Sequence, residues 1–156
     1  MVAPKIRGLR ILLLVAVVIG LQSCVEEAPQ DETAGGIVIS SSWAREPVPG
    51  RDVGVGYFVI DNQLDTSVQV LGAVVEGVRA VEMHTTQEVD GMMRMRRLDV
   101  VEVAPGESIE FRPGGRHLML FGVPEGAVEL PGYIEVESVG KKERIEVVFP
   151  LRPFNT

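Results

Sequence analysis

The chain has 156 residues and one cysteine, with 22 acidic side chains against 15 lysines and arginines and a net charge of −7. That length accommodates one ordinary domain. The single cysteine excludes an intramolecular disulfide, and the acidic balance argues against nonspecific nucleic-acid binding, so stability has to come from an apolar core.

In chain order, the first 23 residues stand apart from the domain. Lys5, Arg7 and Arg10 give a basic start, Ile11 to Leu21 form an apolar run of 11 residues, and "LQSC" follows at 21–24. A basic region, a short apolar stretch and small residues near a cleavage point read as a secretory signal, and the apolar run is too short to cross a bilayer of roughly 30 Å as a helix. The "LQSC" segment resembles a bacterial lipobox, which implies cleavage before Cys24 and lipidation of its thiol. Val25 in place of Asp after that cysteine points, by the habit of such proteins, to the outer membrane. Loss of residues 1–23 removes three positive charges and no negative one, leaving −10. Residues 24–36, ending "VEEAPQDETAGG", are polar and acidic and read as a lipidated flexible tether.

From residue 37 to 152 the chain is a series of short β-type runs, followed by a short tail at 153–156. The runs are "IVIS" (37–40), "GYFVID" (56–61), "SVQVLGAV" (67–74), "RAVEMHTT" (79–86), "MMRMRRLDVVEV" (92–103), "SIEFR" (108–112), "HLMLFGV" (117–123), "YIEVES" (133–138) and "RIEVVFPL" (144–151). Val, Ile, Phe and Tyr dominate them, Gly, Pro, Asn or Asp separate most of them, and no window carries a helical period. The expected fold is an all-β, single-domain antiparallel β-sandwich.

"EVDGMM" at 88–93 holds the clearest hairpin signal, Asp90-Gly91 between two β-type runs. With those two residues as the loop, Val89 faces Met92, Glu88 faces Met93 and Thr86 faces Met95. Alternation then places His84, Thr86, Met93 and Met95 on one face, with Met83 and Met92 on the other. His84 and Met95 are diagonal neighbours, roughly 7–8 Å apart. His117 and Met119 share a face of a later strand, entered through "PGG" at 113–115, while Leu118 and Leu120 take the other face. His84 and His117 are the only two histidines of the chain. Two segments thus each offer an imidazole and a thioether on a common face, and if they meet they form an N2S2 donor set.

Thioethers are soft neutral donors and imidazole is borderline, a combination suited to Cu(I). Zinc prefers thiolate, imidazole or carboxylate, and calcium and magnesium want oxygen. A blue-copper centre needs a cysteine thiolate, and the only cysteine is Cys24. Taken singly, each segment reads more readily as a gap-filling core methionine and a solvated histidine than as a pair of ligands. Arg94, Arg96 and Arg97 around Met95 form a solvated rim or a docking surface for an acidic partner. Trp43 and Tyr57 read as core or rim aromatics.

The spacing His84-x10-Met95-x21-His117-x-Met119 resembles the H-x10-M-x21-H-x-M signature of the periplasmic copper-A chaperone family, the PCuAC domain. "WAREPVPGRDVGVGYFVIDN" (43–62), "VEMHTTQEVDGMMRMR" (81–96) and "FRPGGRHLMLFGV" (111–123) are similar to its characteristic segments. The likeness covers residues 37 to 151. It implies a cupredoxin-like Greek-key sandwich with a partly exposed Cu(I) site, and His84, Met95, His117 and Met119 as the ligands. It also implies delivery toward the copper-A centre of a haem-copper oxidase subunit, or to another extracytoplasmic copper carrier. Thr85 departs from the methionine that many members have there, and the His/Met-rich Cu(II)-binding tail of some members is not expected after "LRPFNT".

The reading is therefore a periplasmic, lipid-anchored Cu(I) carrier, expected to be monomeric, with Met93 as a possible auxiliary donor during ligand exchange. Copper sequestration is the first alternative and a metal-free structural β-sandwich lipoprotein the second. No nucleophile with a base, zinc motif or phosphate loop points to an enzyme.

Overall fold

The computed structural model describes residues 32–34 and 36–155, so the signal segment and Cys24 lie outside the described residues. Eleven strands form: β1 (Glu32–Ala34), β2 (Ile37–Arg45), β3 (Val53–Asn62), β4 (Val68–Val75), β5 (Ala80–Val89), β6 (Met92–Leu98), β7 (Val101–Val103), β8 (Ser108–Phe111), β9 (Arg116–Phe121), β10 (Glu129–Ser138) and β11 (Lys141–Arg152). There is no helix among the described residues.

The first sheet runs β6–β5–β9–β3–β2–β1, with β3 pairing β9 through Val53–Gly56 and β8 through Phe58–Asp61. The second runs β11–β10–β4–β7. The expected all-β sandwich is what these residues build. Two short parallel pairings depart from a purely antiparallel arrangement. β8 meets β9 at Phe111 and Arg116, and β2 meets β11 at Ala44/Leu151 and Arg45/Arg152, where one sheet passes into the other.

Alternation supplies the core. Ile37, Ile39, Phe58, Ile60, Phe111, Leu118 and Leu120 point inward from the first sheet against Val68, Val70, Ile134, Val136, Ile145, Val147 and Phe149 of the second. Phe58 and Phe111 stack with ring centres 4.2 Å apart, and burying a side chain of that size contributes about 1.5–3 kcal/mol. One polar side chain is fully enclosed. Asn62 donates to the carbonyls of Thr66, Val103 and Ala104 at 2.8, 3.0 and 3.1 Å and accepts from the Leu64 amide at 3.0 Å, tying the end of β3 to β7.

Three features differ from the sequence expectation. The run 92–103 is two strands, not one: β6 edges the first sheet and β7 the second, with a bend at Asp99. The reason lies in the pattern. Val101 and Val103 alternate into the core, whereas every residue from Met92 to Arg97 is exposed. Glu32–Ala34, counted with the tether, pair with Ile37–Ile39 of β2. Finally, β2 extends to Arg45 and carries a bulge between Ser40 and Trp43, with Ser41 at φ 52°. The bulge shifts the alternation by one residue. Ile37 and Ile39 point inward before it, Ala44 after it, and Trp43 is thereby turned to the outer face beside Tyr57.

Candidate metal centre

Two turns set the site. Asp90 and Gly91 take φ 53° and 75°, the positive pair that a two-residue hairpin loop requires. The β5–β6 register follows: Val89 opposite Met92, Glu88 opposite Met93, Thr86 opposite Met95 and His84 opposite Arg97. The second turn is Arg112–Pro113–Gly114–Gly115, closed by the Gly115 amide on the Arg112 carbonyl at 3.0 Å, with Gly114 at φ 75°. It delivers His117 to the start of β9.

β5 and β9 are adjacent, so the two histidine segments meet. His84 stands directly opposite His117 and Glu82 opposite Met119. Residues paired across an antiparallel ladder share a face, so His84, His117, Met119 and, diagonally on β6, Met95 all lie on the outer face of the first sheet. The two imidazole rings are 6.1 Å apart, tilted by 36°. Met83 and Leu118, one residue over, are in the core. His117 is buried, His84 and Met119 half-buried, and Met95 57% exposed, which opens the site on the β6 side. Met93 is also exposed.

The hydrogen bonds fix which nitrogen of each ring is free. His117 Nδ1 lies 3.0 Å from the Gly115 carbonyl, which only accepts, so Nδ1 carries the proton and Nε2 the lone pair. The same carbonyl accepts the Thr86 amide at 3.1 Å, which holds the turn against β5. His84 Nε2 lies 2.9 Å from Glu82 Oε2, and its Nδ1 is buried with no partner. An ionised carboxylate also only accepts, so the lone pair of His84 is on that orphaned Nδ1. The hydrogen bond from His84 holds the Glu82 carboxyl below its usual range, against a smaller opposing effect of burial, with Arg97 adding to the lowering.

A row of rings leads away from the site across the sheet. Trp43 pairs with Tyr57, ring centres 4.5 Å apart, and Tyr57 lies one register step beyond the last paired residues of β3 and β9, abreast of His117. Arg152 covers the other side of Trp43 at 4.5 Å. Both aromatics thus sit outside the core cluster, on the face that carries the histidines.

Two-imidazole, two-thioether chemistry is what this face offers. Among the described residues no group of three or more His, Cys, Asp or Glu is placed to hold a metal; two imidazoles with two thioethers are a donor set of the kind that suits a soft ion. A surface concavity of about 690 Å³ is lined by Glu46–Asp52, Val123–Ala127 and Leu151 beyond the far end of β9 and contains neither histidine nor methionine. The carboxylate of Glu82 and the carbonyl of Gly115 were not singled out by the sequence reading. The signal for Glu82 was its place two residues before His84, hence on the same strand face.

These features define the class: an all-β domain with the fold of the PCuAC domains. The apo PCuAC domain of PmoF2 aligns with a TM-score of 0.65 at 18% identity, over 81% of this chain and 98% of that one. The copper-bound PCuAC domain of PmoF2 aligns with a TM-score of 0.60 at 19% identity, over 79% and 99%. Apo-DR1885 from Deinococcus radiodurans aligns with a TM-score of 0.50 at 15% identity, over 97% of each chain. The chain belongs to the LpqE-like family, whose profile matches residues 37–129. Among curated proteins none matches this chain.

Proposed function

We propose that the protein is an extracytoplasmic Cu(I) carrier, held to the membrane through a lipid on Cys24, that hands copper to the copper-A centre of a haem-copper oxidase subunit or to a carrier on that route. The observation that carries the reading is the shared face of His84, His117, Met95 and Met119, with one free imidazole nitrogen on each ring. The fold it shares with a copper-bound PCuAC domain supports it. His84 Nδ1, His117 Nε2 and the sulfurs of Met95 and Met119 are the donors. All four are neutral, so they bind Cu(I) without the charge stabilisation of a thiolate. Met95 is exposed, which lets an acceptor ligand enter as a donor leaves. Met93, two residues from Met95 on the same face, is the auxiliary donor for that exchange.

Recognition of the acceptor falls to arginines of the same sheet edge, on the face opposite the donors. Arg96 and Arg116 flank Thr85 in one cross-strand row, and Arg94 lies on the same side one row further out. All three are exposed, and among the described residues none pairs with a carboxylate. Unpaired positive charge on a chain of net charge −7 suits an acidic acceptor.

An anaerobic titration against a coloured Cu(I) chelator tests the reading. One Cu(I) per chain, weakened by His117→Ala and by Met95→Ala, is expected, followed by transfer to a soluble copper-A domain. Binding unchanged in both variants would sink the carrier function, and copper retained against the acceptor would favour sequestration.

A further inference from the structure

Among the described residues, Glu82 is the carboxylate hydrogen-bonded to a member of the donor set. It sits on β5 two residues before His84 and directly opposite Met119, so its side chain lies on the face of the four donors without belonging to them. Its two oxygens are used separately. Oε2 takes His84 Nε2 at 2.9 Å, and Oε1 takes Arg97 Nη1 at 3.1 Å. Arg97 is the residue opposite His84 on β6, and its Nε lies 3.7 Å from Asp99. Glu82 is therefore clamped between the imidazole and a guanidinium on the neighbouring strand, with its side chain only 31% exposed.

We infer that Glu82 is a positioning residue for copper binding: it selects the Nε2–H tautomer of His84, and so leaves the buried Nδ1 as the donor atom. This inference rests on the carrier function proposed above and names what prepares the site for its metal. The argument is one of available partners. Nε2–H is only modestly favoured over Nδ1–H in a freely solvated histidine, but here one nitrogen faces an acceptor that cannot donate and the other faces none. A proton on Nδ1 would leave a buried donor unsatisfied and would turn the Nε2 lone pair against a carboxylate. His117 reaches the opposite tautomer by the same logic, with the Gly115 carbonyl as its acceptor. The two rings thus offer different nitrogens, and each is held by its own backing group. A carboxylate behind a ligating histidine also raises the basicity of the donor nitrogen. Arg97 is 62% exposed, so its ion pair adds little stability by itself. Its part is to hold the Glu82 carboxylate in the rotamer that reaches the ring.

The test combines a tautomer measurement on the apo-protein with a Cu(I) titration. Two-bond 1H–15N spectra distinguish Nδ1–H from Nε2–H imidazoles. In the wild type His84 should be Nε2–H and His117 Nδ1–H. Glu82→Leu should turn His84 into a tautomer mixture, leave His117 unchanged as the internal control, and lower Cu(I) affinity by about 10- to 100-fold, the usual effect of removing a group behind a metal ligand. Glu82→Gln keeps an acceptor oxygen and should recover part of both readouts. His84 holding its wild-type tautomer in Glu82→Leu, with undiminished Cu(I) affinity, would overturn the positioning role. A wild-type protein with the expected tautomers that binds no Cu(I) would overturn the carrier function instead, so the two failures are told apart.

Discussion

His84 and His117 face each other across adjacent antiparallel strands, ring centres 6.1 Å apart. The residues that back them, Glu82 and the Gly115 carbonyl, hold opposite nitrogens, so both lone pairs are left free. The imidazoles are the fixed half of the donor set; of its two thioethers, Met119 on β9 is half-buried and Met95 on β6 is the exposed, adjustable one. Met95 and Met93 are 57% and 63% exposed on the same face, two residues apart. As the auxiliary donor proposed above, Met93 would take over when Met95 is missing. The double variant Met93→Ala/Met95→Ala should therefore weaken Cu(I) binding by more than the sum of the two single losses. A double-mutant cycle should give a coupling of about 0.5–3 kcal/mol. Losses that add would remove Met93 from the exchange role. His84→Ala and His117→Ala have no neighbouring substitute, and each should cost more than Met95→Ala.

The pairing that makes this site was partly visible in the sequence. The Asp90-Gly91 loop set the β5–β6 register, and period-2 alternation put His84 with Met95, and His117 with Met119, on common faces. What local pattern did not contain was the adjacency of β5 and β9. Those strands are about 30 residues apart in the chain, and their contact is set by packing across the whole sheet. Only the family spacing bridged that gap. The bulge at Ser41 was hidden for another reason: "SSS" carries no hydrophobic alternation to show a change of parity, so Trp43 read equally as core or rim. The split of 92–103 was legible in hindsight from the lack of inward-facing apolar residues before Leu98.

Tyr57 provides a pH-dependent check on the ring row. Burial pushes its phenol above the ordinary value of 10.0, partly opposed by the nearby Arg45 guanidinium. The neutral phenol is thus favoured in the folded state, and its contribution is complete below pH 10 and lost as pH rises through the higher folded value. The stability difference between wild type and Tyr57→Phe should be flat below that pH and shift in favour of Phe above it. Denaturant titrations of both proteins across the alkaline range measure this. A difference that stays constant to the alkaline limit would show that the phenol is not held neutral by burial.

Val139 is the clearest strained position. It joins β10 to β11 with φ 50°, followed by Gly140 at 74°, and its side chain is 83% exposed. A β-branched residue in the left-handed region is disfavoured by roughly 1–2 kcal/mol, and nothing buried repays it here. Val139→Asn keeps the turn and tolerates that backbone. It should stabilise the domain by about 1 kcal/mol and raise Tm by several degrees, with Cu(I) affinity unchanged. A lower Tm would mean that the valine makes a contact the exposed turn does not suggest.

The arginines separate recognition from binding. Arg94 and Arg96 point to the face opposite Met93 and Met95, because alternate residues of β6 take alternate sides. Reversing both charges in Arg94→Glu/Arg96→Glu should therefore leave the chelator titration as in the wild type. Transfer to an acidic copper-A domain, followed by stopped flow at low ionic strength, should slow by about 10-fold or more, the scale on which electrostatic steering acts. Added salt should slow the wild type and leave the variant nearly unchanged, because screening removes an attraction that only the wild type has. Equal transfer rates for the two proteins at low salt would take these arginines out of acceptor docking while leaving the copper site untouched. A weakened chelator titration would instead place the β6 charges within the binding site itself.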